Sequence, residues 1–385
     1  MREYALTILI AAAVTYLSVP FVRWLAFRFG AFTPIRARDV HTVPTPRWGG
    51  LAMYAGLVAA FLVAGQLPNL RETLVDQSWQ GVLLAGLIIV IVGVVDDRWD
   101  LDPLSKLAGQ VLAAGVLVGS GAQLLWLPLP DTTLVLPPDV HTVVSVVLIV
   151  VTINAVNFVD GLDGLAAGIV AIAASAFFIY YYAVAIHQGF DRQTFPAMIA
   201  AVLIGICAGF LPHNLHPARI FMGDTGAMLI GLLLASTTIT VTGQFTPSVG
   251  GEAGGLVALL PMLLPILVLA LPFLDLLLAV VRRTLAGKSP FAPDRKHLHH
   301  QMLGLGHSHA RAVLLMYLWA GIIAFAAVTM SIFADPWVFL LGALGVAACA
   351  VLLVTLPRLR RRQERLREAR ARAAVGVGPG PRGGA

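Results

Sequence analysis

The stretch VVSVVLIVVTINAVNFVDGLDGLAAGIVAIAASAFFIY, residues 143–180, decides the fold. Two apolar runs enclose a short polar segment that carries Asn154, Asn157, Asp160 and Asp163. The runs read as spanning helices over 141–159 and 162–186, close to the roughly 20 residues a bilayer crossing needs. Carboxylates and amides at a membrane boundary are costly, so these four side chains require partners.

The rest of the chain has the same character. Of its 385 residues, 58% are hydrophobic and 12% charged, about half the charge of a soluble domain. This composition excludes a soluble enzyme and points to an all-α polytopic membrane protein. Eleven spans are expected, at 4–27, 49–65, 79–95, 103–121, 141–159, 162–186, 195–212, 225–242, 256–281, 311–332 and 336–356. Gly and Pro interrupt several of them, which membrane helices tolerate when neighbours satisfy the backbone. The first apolar stretch is long and lacks a small-residue cleavage site, so it reads as a span rather than a signal peptide. Cys207 and Cys349 each lie in an apolar run and read as buried small hydrophobes. The segment LWLPLPDTTLVLPPD, 125–139, has a strand–turn–strand pattern that suggests a small hairpin.

Orientation follows from Lys and Arg, which favour the cytoplasmic side. With the N-terminus outside and spans alternating, all of the 26 Lys and Arg except Arg2, Arg71 and Arg192 face the cytoplasm. The C-terminus is then cytoplasmic. Residues 1–356 read as the membrane domain. Residues 357–385 read as a basic, largely disordered tail, beginning RLRRRQERLREARAR at 358–372.

Nearly every unusual polar cluster falls on that side. In VVDDRWDLDPLSK, 94–106, Asp96 and Asp97 are adjacent, and Pro103 opens a helix with Lys106 one turn in. The acids read either as helix caps or as a site for a divalent cation. In 154–168, a cap explains Asp160 or Asp163 if Asp163 starts a helix. It does not explain Asn154 and Asn157, whose amide oxygens would suit a hard cation or a nucleotide. In PHNLHPARIFMGDTGAMLIG, 212–231, Asp224 or Thr225 reads as an N-cap, or the same glycine-rich helix start reads as an anion site. In SPFAPDRKHLHHQMLGLGHSHAR, 289–311, Arg295, Lys296, His297, His299 and His300 crowd together. No cysteine lies near them, so contacts to a diphosphate fit better than zinc. His307 and His309 read as solvated loop. HTVPTPRWGG, 41–50, adds His41 and Arg47 to the same face more weakly. Carboxylates for a cation, basic groups for phosphates and a bilayer for a lipid together suggest phosphoryl transfer from a nucleotide substrate to a membrane lipid.

Four motifs in order, VDDRWDLDPLSK, NAVNFVDGLDGLAAG, RIFMGDTGAMLIG and SPFAPDRKHLHH, resemble the polyprenyl-phosphate N-acetylhexosamine-1-phosphate transferases over about residues 1–356. The resemblance implies ten or eleven helices and an active-site cleft on the cytoplasmic face of a bacterial cytoplasmic membrane. It implies Mg²⁺, with Mn²⁺ as an alternative, and transfer of a sugar-1-phosphate from a UDP-sugar to undecaprenyl or decaprenyl phosphate with release of UMP. DRKHLHH and PTPRWGG are similar to the GlcNAc branch, so UDP-GlcNAc is the expected donor. UDP-MurNAc-pentapeptide or another UDP-HexNAc is the alternative. By motif position, Asp224 and Asn157 are the implied metal ligands, and Asp96, Asp97 and Asp224 the catalytic carboxylates. Lys106 is implied to hold the lipid phosphate. Asn154, Asn214, Asp160 and Asp163 lie on the nucleotide side, with Phe221 stacking on uracil. Arg295, His297, His299 and His300 face the diphosphate and sugar. The family also allows a homodimer, and no nucleic-acid partner is expected. Two other classes compete: an ion-coupled transporter, for which Asp275 is the one acid deep in a span although it reads by default as a partnered structural acid, and a scaffold acting through its basic tail.

Overall fold

In a computed structural model the protein is described over residues 1–33, 44–75, 78–129, 132–187, 194–244 and 308–332, with Thr284 and 344–345. Nine α-helices run through these residues: α1 Arg2–Arg28, α2 Gly49–Ala64, α3 Ser78–Trp99, α4 Pro103–Gly119, α5 Pro138–Val159, α6 Leu165–His187, α7 Phe195–Asn214, α8 Gly223–Gln244 and α9 His309–Ile332. Six of them, α1, α3, α5, α6, α7 and α9, are long and apolar enough to cross a membrane, and α2 and α4 are shorter apolar helices. The chain is a mostly helical, multi-pass membrane protein. The expected spans at 256–281 and 336–356 and the tail after 356 lie outside the described residues.

Two small antiparallel ladders join the helices. Phe32–Thr33 (β1) pairs with Thr45–Pro46 (β2), and Trp126–Leu129 (β3) pairs with Thr132–Val135 (β4). The second is the hairpin suggested by the alternation at 125–139.

Sequence dictates which helices sit at the centre. α7 is apolar on every face, the mark of a buried helix, and 78% of its most apolar window is buried against 28% for α1. Its Gly205 and Gly209 lie one turn apart, and a Cβ on either would strike the α1 backbone at Ile8 or Ala12. Membrane helices associate through such small-residue contacts because lipid gives no hydrophobic drive between them. α8 is equally enclosed although it carries Ser236, Thr237, Thr238 and Thr240. Each hydroxyl donates back to a carbonyl three or four residues earlier, at 2.6–3.2 Å, so none of these four meets lipid unpaired.

Several boundaries shift by a few residues from the apolar runs, and two of these shifts lie at the polar clusters. α3 continues through Asp96 and Asp97 to Trp99, four residues past the expected end. α6 starts at Leu165, not Leu162, because residues 160–164 form a turn that ends at Gly164 with φ of +78°. Asp163 therefore lies before the helix.

The antiparallel succession brings the C-terminal ends of α1, α3, α5 and α7 beside the N-terminal ends of α2, α4, α6 and α8. Hydrogen bonds tie that end together. Arg98 Nε donates to Phe29 O at 2.8 Å, Gly49 N to Phe221 O at 3.1 Å, and Gly164 N to Asn214 Oδ1 at 3.0 Å. Trp48, in the left-handed region at φ 79°, donates its indole N–H to Val94 O.

Candidate active site at the clustered helix ends

The start of α8 organises the site. A helix N-terminus leaves amides unpaired, and here another helix supplies the cap. The Asp97 carboxylate accepts from Asp224 N at 3.0 Å, Thr225 N at 3.2 Å and Thr225 Oγ1 at 2.7 Å. The approach needs Gly223, whose φ is +69° and where a Cβ would overlap the Asp97 carboxylate. A Cβ on Gly50 would likewise run into the backbone of Thr225 and Gly226. The GG of PTPRWGG thus lets α2 meet α8 end to end.

With α8 fixed, Asp224 projects into a charged centre. Lys106 Nζ lies 2.5 Å from Asp224 Oδ2 and 3.0 Å from Asp96 Oδ2. Asp224 also meets the side chains of Asp96 and Asn157. Two carboxylates in contact repel unless a cation or a proton lies between them, and Lys106 supplies one positive charge. Asp96 is held further by Leu101 N, which donates to its Oδ1 at 2.9 Å. Asp224 keeps 29% side-chain exposure and Asp96 only 8%, so Asp224 is the carboxylate that opens toward solvent. The loop between the two helices is set by Asp102, the N-cap of α4, which accepts from Leu104 N, Ser105 N and Ser105 Oγ.

The donor set suits a hard divalent cation. Among the described residues, Asp224, Asp96 and Asn157 offer carboxylate and amide oxygens, the donor types that hard divalent cations take.

The turn 160–164 forms the adjoining wall. Asp160 is part-exposed by area yet closely surrounded by protein. Burial, then the negative charges of Asp224, Asp97 and Asp163, push its carboxyl up to about 7, with Arg47 acting in the opposite direction. Asp163 is buried, and its Oδ2 accepts from His216 Nδ1 at 2.8 Å and Ala218 N at 3.2 Å. Asn214 is buried too, joining the Gly164 amide to the Ile220 carbonyl, which its Nδ2 reaches at 3.0 Å. The Phe221 backbone bridges Pro46 O and Gly49 N, and its side chain is half-buried.

The structure therefore brings Asp96, Asp97, Lys106, Asn157, Asp160 and Asp224 into one charged neighbourhood, and sets Asp163, Asn214 and Phe221 in the turns beside it. Asn154 stands a turn deeper, donating to Gln110 Oε1 at 2.7 Å and to Val150 O at 2.8 Å. Arg295, His297, His299 and His300, like His41 and Asp275, lie outside the described residues.

Several participants escaped the sequence reading. Gln110 is buried and links Asn154 to Met228 Sδ. Its signal was available, since it lies four residues after Lys106 on the same helix face. Thr225, read as a cap of its own helix, instead donates to Asp97. His309, read as solvated loop, stacks on His216 with ring centroids 4.3 Å apart.

A family profile described as glycosyl transferase family 4 matches residues 79–242. The decaprenyl-phosphate N-acetylglucosaminephosphotransferase of Mycolicibacterium smegmatis is 48% identical over 367 residues, covering 94% of this chain and 90% of that protein. The protein of that name from Mycobacterium tuberculosis H37Rv is 48% identical over 369 residues, with the same coverage. A probable undecaprenyl-phosphate N-acetylglucosaminyl 1-phosphate transferase of Bacillus subtilis is 31% identical over 341 residues, covering 86% of this chain and 87% of that protein.

Proposed function

The chain belongs to glycosyl transferase family 4, among the polyprenyl-phosphate N-acetylhexosamine-1-phosphate transferases, and from that premise we propose that it transfers GlcNAc-1-phosphate from UDP-GlcNAc to decaprenyl phosphate. A phosphate oxygen of the lipid forms a bond to the sugar-bearing phosphorus. The bond to the other phosphate breaks, and UMP leaves with its electron pair. The product is decaprenyl-diphospho-GlcNAc. Decaprenyl is preferred to undecaprenyl because the relatives at 48% identity are named for it, whereas the undecaprenyl relative is 31% identical. The same names support the transferase over the ion-coupled transporter and the scaffold.

The observation that carries the reading is the meeting of Asp224, Asp96, Lys106 and Asn157 at the start of α8. Asp224 and Asn157, with Asp96 beside them, would hold Mg²⁺, which when bound neutralises charge building on the phosphates. Lys106 is placed to pair with an anionic phosphate once a cation relieves it of Asp224. A lipid phosphate is already anionic near neutral pH, so the chain need not remove a proton from it. Asp97 then serves to hold α8, and through it Asp224, in place. The turn 160–164 with Asn214 and Phe221 forms the nucleotide side.

We further propose eleven spans, with the N-terminus outside and the site facing the cytoplasm of a bacterial inner membrane. The charge bias supports this: the described Lys and Arg at the site end are Arg23, Arg28, Arg47, Arg98, Lys106, Arg219 and Arg311, against Arg2 and Arg71 at the other.

Purified protein given decaprenyl phosphate, Mg²⁺ and a panel of UDP-sugars should release UMP with UDP-GlcNAc as the preferred donor. Chelation should abolish the release and added Mg²⁺ restore it. Release with UDP-MurNAc-pentapeptide alone would move the chain to the other branch.

A further inference from the structure

Asp163, His216 and His309 form a second cluster, and the transfer chemistry makes no use of the two histidines. By residue type the three suit a metal, and one ligand atom from each lies within 4.8 Å of the others. The ring geometry favours stacking over a shared ion. The two imidazoles stack with planes 15° apart and centroids 4.3 Å apart. An imidazole binds a metal through a lone pair in its own plane. Two stacked, nearly parallel planes meet only far from both rings, beyond the reach of a metal–nitrogen bond. The cluster instead works as a brace: His309 lies against His216, and His216 Nδ1 donates to Asp163.

A second contact from the same helix reinforces it. Tyr317, on α9, donates its hydroxyl to the Gly164 carbonyl, and its ring fills the space where a Cβ on Gly168 would lie. The Gly164 amide is held from the opposite side by Asn214 Oδ1. The turn 160–164 is thus clamped between the segment 214–218 and α9.

We infer that His309 and Tyr317 are positioning residues that hold the Asp160–Gly164 turn in register for the nucleotide half of the donor. The inference rests on the UDP-sugar reading above. Displacing a binding turn by a fraction of an ångström costs affinity without removing a reacting group. The effect should therefore fall on the donor KM and leave the lipid KM and kcat largely intact.

The test uses the full-length protein, with steady-state kinetics for both substrates and calorimetric binding of UDP-GlcNAc. His309→Ala should raise the donor KM and Kd roughly tenfold, with kcat and the lipid KM within about twofold. His309→Phe keeps a flat ring to stack on His216 and should recover most of the loss. Tyr317→Phe keeps the packing against Gly168 and loses one hydrogen bond, and should raise the donor KM about threefold. If His309→Ala does not fold, Tyr317→Phe carries the same test. A normal wild-type enzyme whose donor KM is unchanged in both variants overturns the clamp and leaves the donor reading standing. A fall in kcat alone, or His309→Phe as impaired as His309→Ala, also overturns it. So would stoichiometric Zn²⁺ binding that His309→Ala abolishes. No turnover or binding of UDP-GlcNAc by the wild type overturns the donor reading itself, and the clamp's assigned role with it.

Discussion

The two ends of the helix bundle handle carboxylates in opposite ways. At one end Glu3, on the first turn of α1, accepts from Asn69 N at 3.1 Å and Leu70 N at 2.9 Å, capping the 3₁₀ turn Leu70–Leu74. One acid meets two backbone amides and the Asn69 side-chain amide. At the other end Asp96, Asp97, Asp160, Asp163 and Asp224 gather around Lys106, Arg47 and His216. Within that cluster the same division recurs between neighbours in sequence. Asp97 spends its oxygens on the start of α8, whereas Asp96 shares a lysine with Asp224. A carboxylate saturated by backbone donors builds structure. One that shares a single ammonium with another acid is the kind we propose takes a ligand.

The largest break in this comparison should come from Asp224. Asp224→Asn keeps the shape and removes the charge that faces Lys106, and UMP release should fall by about 10²–10³-fold with little change in melting temperature. Asp97→Ala comes next and should behave differently. It leaves two amides and the Thr225 hydroxyl without their acceptor, costing at least about 2 kcal/mol, so a lower melting temperature should accompany the lost turnover. If Asp97→Ala abolished turnover in a protein as stable as the wild type, Asp97 would belong with Asp224 in the chemistry.

Asp160 gives a smaller effect that depends on pH. Its carboxyl is pushed from the ordinary 3.8 up to about 7, chiefly by burial. Between those values the folded chain holds a proton that the unfolded chain has lost. Stability therefore falls as pH rises across that window, and the full penalty applies above it. Asp160→Asn should raise the melting temperature by on the order of 2 °C at pH 8 and leave it unchanged at pH 4. An equal rise at both values would show that ionisation is not the cause. Smallest of all, Glu3→Ala should cost about 1 kcal/mol of stability and leave kcat/KM for both substrates at the wild-type value.

Much of the bundle could be read from the sequence because apolar length decides where helices lie. Their ends were harder to place. Hydropathy stops a span at Val95, since Asp96 and Asp97 are polar. The backbone ladder is indifferent to that polarity and continues to Trp99. The apolar run of α6 begins at Leu162, but the Asp163 contact to His216 and the positive φ of Gly164 delay the helix to Leu165. The motifs named side chains that the fold brings together, because acids are costly near a membrane and so mark where partners must be. They could not divide the labour among those side chains. Asp97 meets the start of α8 across more than 120 residues of chain, and no local pattern distinguishes that from a catalytic carboxylate. His309 could not be assigned either, since a histidine in a polar loop gives no sign of the ring it will stack upon.

The central claim is that Asp224, set by the Asp97 cap and balanced by Lys106, is the carboxylate on which transfer depends. The direct measurement is UMP release from UDP-GlcNAc and decaprenyl phosphate by Asp224→Asn protein whose melting temperature matches the wild type. The account predicts loss of release at saturating Mg²⁺ and both substrates. Release at the wild-type rate from that folded variant would contradict it.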